Sequence, residues 1–69
     1  MNNFVIDYSP LVKTLYDKGI GIAEMGKDLG LSPKTTAKIK KKESMSLTTV
    51  GKICVYLKVP IEEVVNIKY

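Results

Sequence analysis

The sequence predicts an all-α fold: five short helices in one domain spanning residues 1–69, two of them joined by a tight turn near the middle of the chain. Three observations carry that expectation. Apolar residues recur at three- and four-residue spacings, the period of a helix face. Start and stop signals punctuate the chain at short intervals, with Ser32-Pro33 and Ser46 as starts and Gly19, Gly30 and Pro60 as stops. No internal repeat or low-complexity linker separates the segments.

The chain opens on Phe4-Val5-Ile6-Asp7-Tyr8, a β-prone run that reads as a strand fragment or as an apolar plug against the domain. Helix one is expected over residues 9–18. Asp7 or Ser9 can cap it, and Pro10 sits in its first turn, where a missing N–H does no harm. Leu11, Val12 and Leu15, with Tyr8 one turn earlier, give it a single apolar face, and Lys18-Gly19 closes it. Helix two, over 22–29, carries Ile22, Met25, Gly26 and Leu29 on one side. Gly21 is a permissive cap, Glu24 can reach back to its N–H, and Ile20 can pack on Met25. Glycine inside a helix costs about 1 kcal/mol relative to alanine, so Gly26 implies that another helix approaches closely there. Gly30 ends the helix at a residue that needs positive φ.

Ser32 as cap and Pro33 as first helical residue start helix three, over 33–40. With Thr36 and Ile39 inward, rotation by about 100° per residue turns Lys34 and Lys38 nearly opposite the core and leaves Thr35 and Lys40 on the flanks. Fraying is expected near Lys40 or Lys41, with Lys41 to Ser44 as the following loop. Helix four, over 47–58, is capped by Ser46, stapled by Met45 to Val50, and lined inward by Leu47, Val50, Ile53, Cys54 and Leu57. After Pro60 a fifth helix is expected over 61–67, with Glu62 and Glu63 where the dipole favours acids and Ile61, Val64 and Val65 inward. Residues 66–69 are β-tolerant and offer a partner to the Phe4–Asp7 segment.

Composition narrows the function classes. The net charge of +4 comes from eleven lysines without arginine, against seven acids. Five of those lysines fall between Lys34 and Lys42, and no acid lies between Asp28 and Glu43. Such clustering points to a polyanionic partner, whereas the bland alternative is a solvated lysine face. One cysteine excludes an internal disulfide, and the lack of histidine argues against zinc. No cofactor and no small-molecule effector is evident. Cys54 reads as a buried apolar thiol, and Glu62-Glu63 as a helix start, so an enzyme is not expected. No apolar run approaches the roughly 20 residues needed to span a bilayer. Met1 to Tyr8 lack a signal-peptide pattern, so the expected setting is the cytoplasm, without membrane. The tyrosines at 8, 16, 56 and 69 are not interleaved with the lysines, which argues against a single-strand stacking platform.

A helix, a tight turn and a cation-loaded helix form the arrangement by which small proteins present one helix to a DNA groove. Met25-Gly26, Leu29-Gly30-Leu31-Ser32, Ile39, Ser46-Leu47 and the series Val50, Ile53, Cys54, Leu57, then Val59 to Val64, together resemble the Cro and phage-repressor class of DNA-binding domains. The likeness covers roughly residues 8–67, with Gly26 in the small-residue place four before the turn glycine. Within the class the chain looks most like small prophage and mobile-element regulators. The resemblance implies a five-helix lambda-repressor-like fold with the motif at helices two and three. Two positions depart from its pattern. Ile22 stands where a polar phosphate clamp is usual, so backbone N–H groups near Gly21 are left to supply it. Thr36 stands where an aliphatic is usual, which implies looser packing between helices two and three.

The resemblance assigns base reading to the start of helix three, here Lys34, Thr35 and Lys38. Lysine donates to guanine O6 and N7, and a threonine methyl can touch a thymine methyl. Without arginine's planar fork, discrimination should be modest. Lys40, Lys41 and Lys42, with Lys27, Lys52 and the capping Ser32, suit phosphates. The implied function is a sequence-specific double-stranded DNA-binding transcriptional regulator, a repressor acting as a homodimer. The competing reading is a protein-interaction module on the same fold: an antitoxin, antirepressor or inhibitor.

Overall fold

A computed structural model describes residues 3–69. Four α-helices follow one another: α1 (Ser9–Lys18), α2 (Ile22–Leu29), α3 (Pro33–Lys41) and α4 (Leu47–Leu57). A short antiparallel ribbon joins the two ends, with β1 (Val5–Asp7) set against β2 (Asn66–Lys68) in the register Val5–Lys68, Ile6–Ile67 and Asp7–Asn66. The strand reading of the first segment therefore prevails over the plug.

Each helix ends where its local chemistry stops it. Gly19 and Gly30 take left-handed φ of 69°, and in each case the following N–H bonds back into the last turn, Ile20 to Leu15 O and Leu31 to Gly26 O. Lys42 and Lys58 do the same work at φ 58° and 57° without the freedom of glycine. Ser32 and Ser46 cap α3 and α4 alike, each Oγ accepting the N–H of the threonine three residues on, at 3.2 and 3.1 Å. At α1 neither Asp7 nor Ser9 is the cap. Tyr8 holds that position, and Asp7 instead accepts both the N–H and the O–H of Ser9, at 3.1 and 2.6 Å. Those two bonds, with Lys68 Nζ at 3.3 Å, hold the Asp7 carboxyl below its ordinary range despite burial. The Glu24 carboxylate reaches Gly21 N–H only at 3.5 Å, a long contact.

Tyr8, Leu11, Leu15, Met25, Ile39, Val50, Ile53, Leu57 and Val64 are buried together as the core. Three residues expected inward lie largely outside it: Val12 (48% exposed), Leu47 (76%) and Ile61 (47%). Cys54 is half-buried against the core rather than enclosed.

The expected fifth helix does not form. Ile61–Glu63 make a single 3₁₀ turn, after which the chain extends into β2. The reason is competition for backbone acceptors from residues distant in the chain. The Glu63 carbonyl, which a helix would give to the N–H of residue 67, accepts the Thr14 hydroxyl at 2.8 Å. The β-branched run Val64-Val65 and Ile67 favours extension, and β1 supplies the ladder partner. Val64 still reaches the core and Val65 lies half-buried against it. No helix of the described residues is long and apolar enough to cross a membrane.

Candidate nucleic-acid interface

The turn at Gly30 sets α3 across α2, and the closeness of that crossing rests on one glycine. A Cβ at position 26 would stand 2.7 Å from Thr36 Cγ2. Thr36 therefore does not loosen the helix pair. Its methyl occupies the space that Gly26 leaves, while its hydroxyl donates back to the Pro33 carbonyl at 3.0 Å. With Ile39 buried, the inward side of α3 is fixed by these two residues.

The outward side then follows from helix geometry. Lys34, Lys38 and Lys41 fall within about 60° of one another around the axis, and Thr35 and Lys40 take opposite flanks. Lys34, Lys40, Lys41 and Lys42 are exposed, and Thr35 and Lys38 are half-buried. α3 runs one residue further than expected, which brings Lys41 onto the same face as Lys34 and Lys38 instead of leaving it in a loop. Lys42 caps the helix and turns aside toward α1. Lys27 lies exposed in the last turn of α2, and Lys52 is exposed on α4. Among the described residues the one ion pair is Lys68 with Asp7, so no carboxylate of the chain neutralises the lysines of α3.

At the start of α3 the polar groups are partly committed. Ser32 Oγ and Thr35 Oγ1 lie 3.1 Å apart, so one hydroxyl proton is spent between them and the other remains to donate outward. Thr35 and Thr36 N–H already bond to the Ser32 carbonyl, and Pro33 has no N–H. That leaves the Lys34 N–H as the first-turn amide without a backbone acceptor among the described residues. The Thr35 methyl is unencumbered by these bonds.

Two tyrosines brace the motif from outside the helix pair; sequence reasoning placed Tyr8 on the apolar face of helix one but missed the hydrogen bond that each makes. The buried Tyr8 donates its O–H to the Glu43 carbonyl at 2.7 Å, pinning the turn that leaves α3, and burial pushes its phenol above the ordinary range. Tyr56 on α4 donates to Asp28 Oδ2 on α2 at 2.6 Å. That carboxylate bond, with desolvation and the charges of Asp28 and Glu24, pushes the Tyr56 phenol up to about 12. The contacts span 35 and 28 residues, so neither leaves a local signature.

Comparison with known proteins agrees with this fold. Residues 11–68 match the family described as Cro/C1-type HTH DNA-binding domain. The crystal structure of the transcriptional regulator VanUg superposes with a TM-score of 0.93 at 30% sequence identity, covering 97% of this chain and 89% of that one. No curated protein matches the sequence.

Proposed function

The chain belongs to the Cro/C1-type helix-turn-helix DNA-binding domains, and from that premise we propose that it is a transcriptional repressor that binds a two-fold operator as a homodimer, with α3 in the major groove. The observation that carries this reading is the lysine face of α3, which forms no ion pair with an acid among the described residues and stands on the helix that follows the Gly30 turn. Lys34, Thr35 and Lys38 read base edges, the lysines as donors to guanine and the threonine through its methyl. Lys40, Lys41 and Lys42, with Lys27 and the Ser32 hydroxyl, hold phosphates and set register. Two copies present their α3 helices about 34 Å apart, one turn of duplex.

Selection of duplexes from a random pool tests the reading, and palindromy in the selected site reports the dimer. Lys34→Ala with Lys38→Ala should weaken binding to that site by ten-fold or more, taking about 1–3 kcal/mol per specific contact. Unchanged affinity would remove α3 as the reading helix. A handful of phosphate contacts gives a log–log salt slope on the order of −4 to −6 per subunit. Retention on duplex DNA or heparin that stays flat with rising salt would favour the protein-interaction reading instead.

A further inference from the structure

We infer that the groove between α1 and the end of α3 is a docking site for an acidic amphipathic helix of a partner protein, and that its occupancy competes with DNA. Tyr8, Val12 and Tyr16 follow one another at four-residue spacing along α1. Only Tyr8 is buried; Val12 is half exposed and Tyr16 is 84% exposed, so α1 carries a second apolar stripe beside the one it gives the core. The stripe borders an open groove of about 450 Å³ floored by Tyr8 and Ile39 and flanked by Lys13 and Lys42.

The charge of the rim selects the occupant. Neither lysine has an acidic partner among the described residues, while the groove's one acid, Asp7, is engaged by Ser9 and Lys68. An apolar floor between two free cations suits a helix with apolar anchors at i, i+3 or i+4 and i+7 and acids on both flanks. The groove is open to solvent rather than enclosed, which suits a peptide helix better than a buried small ligand. Competition arises because Lys42 belongs both to this rim and to the lysines assigned to phosphates; that clause rests on the proposed DNA reading.

The test uses the full chain and a synthetic 14-residue helix with leucines at such spacing and glutamates between, beside a scrambled isomer of equal charge. Binding is followed by anisotropy and by the resonances of Val12 and Tyr16. The patterned peptide should bind at least ten-fold more tightly than its isomer. Val12→Ser with Tyr16→Ala, both exposed positions, should remove that preference while leaving duplex retention on heparin-like salt gradients intact. Equal binding of the isomer, or binding indifferent to the double substitution, overturns the site. So does concentration-dependent self-association in sedimentation that Tyr16→Ala abolishes, since the occupant is then a second copy. Duplex binding measured on the same samples separates the claims: peptide binding without DNA binding leaves the groove standing and sinks the operator reading.

Discussion

Gly26→Ala isolates the contact that sets α3 on α2. In an unobstructed helix the change would stabilise by about 1 kcal/mol. Here the new Cβ meets Thr36 Cγ2 at 2.7 Å, against the roughly 3.5–4.0 Å at which carbon atoms pack. Thr36 cannot swing its methyl away cheaply, because rotation about its Cα–Cβ bond would break the 3.0 Å bond from its hydroxyl to the Pro33 carbonyl. The helices must therefore part, at a cost of about 1–3 kcal/mol for overpacking. Subtracting the propensity gain leaves a net loss of about 1 kcal/mol, or roughly 4–8 °C in Tm for a domain of this size. Thr36→Ser removes the methyl and keeps the hydroxyl, so in that background Gly26→Ala should become neutral or stabilising. Thermal and urea unfolding of the four proteins of this cycle gives a coupling of about 1–2 kcal/mol. If Gly26→Ala costs the same in both backgrounds, the methyl contact is not what positions α3.

Lys58→Gly relieves left-handed strain of about 1–2 kcal/mol against a chain-entropy cost of about 0.4–1 kcal/mol, so urea unfolding should show a modest gain. Lys42→Gly should gain similarly while making the salt slope of DNA binding shallower by about 0.9; stability gain with an unchanged slope would remove Lys42 from the phosphate contacts. Tyr56 has its folded pKa raised to about 12 from the ordinary 10.0, so its contribution to stability is complete below pH 10.0 and is lost as pH rises through 12. Phenolate absorbance should show two late-titrating tyrosines, Tyr8 and Tyr56, of which the second is absent in Tyr56→Phe and moved earlier in Asp28→Asn; an unmoved titration in Asp28→Asn would refute the bond. Lys34→Glu puts an acid in the first turn of α3 and should stabilise the fold by about 0.3–1 kcal/mol while abolishing duplex binding, with calorimetry and anisotropy as the two readings.

The four helices were legible because their signals are local. Ser32-Pro33, Ser46, Gly19 and Gly30 act within a turn of where they stand, and the structure uses each as a cap. Gly26 was legible as a close approach because a costly residue in a helix interior needs a reason. The stretch after Pro60 was not, since Ile61, Val64 and Val65 fit a helical period as well as they fit a turn followed by a strand. The choice was made by Thr14 taking the Glu63 carbonyl and by β1 offering a ladder, partners 49 residues or more away. Periodicity likewise gives the direction of a helix face but not its width. Val12 and Leu47 lie at the margin of their apolar stripes, and the neighbouring elements stop short of covering them.

The same distinction between local and external causes bears on the lysines of α3. Lys38, Lys40 and Lys41 occupy its last turn, where cations offset the negative end of the helix dipole by about 0.3–1 kcal/mol each. Their presence thus has a sufficient structural reason, whether or not DNA is bound. Lys34 has none. It stands one residue after Pro33 in the first turn, at the positive end of the dipole, with no acid in that turn and no ion pair to offset it. A cation there works against the helix it belongs to, and it is exposed, so packing does not require it. Of the residues proposed to read bases, Lys34 is the one whose position no contact among the described residues explains. An anion brought against that turn would meet its ammonium and its free backbone N–H together.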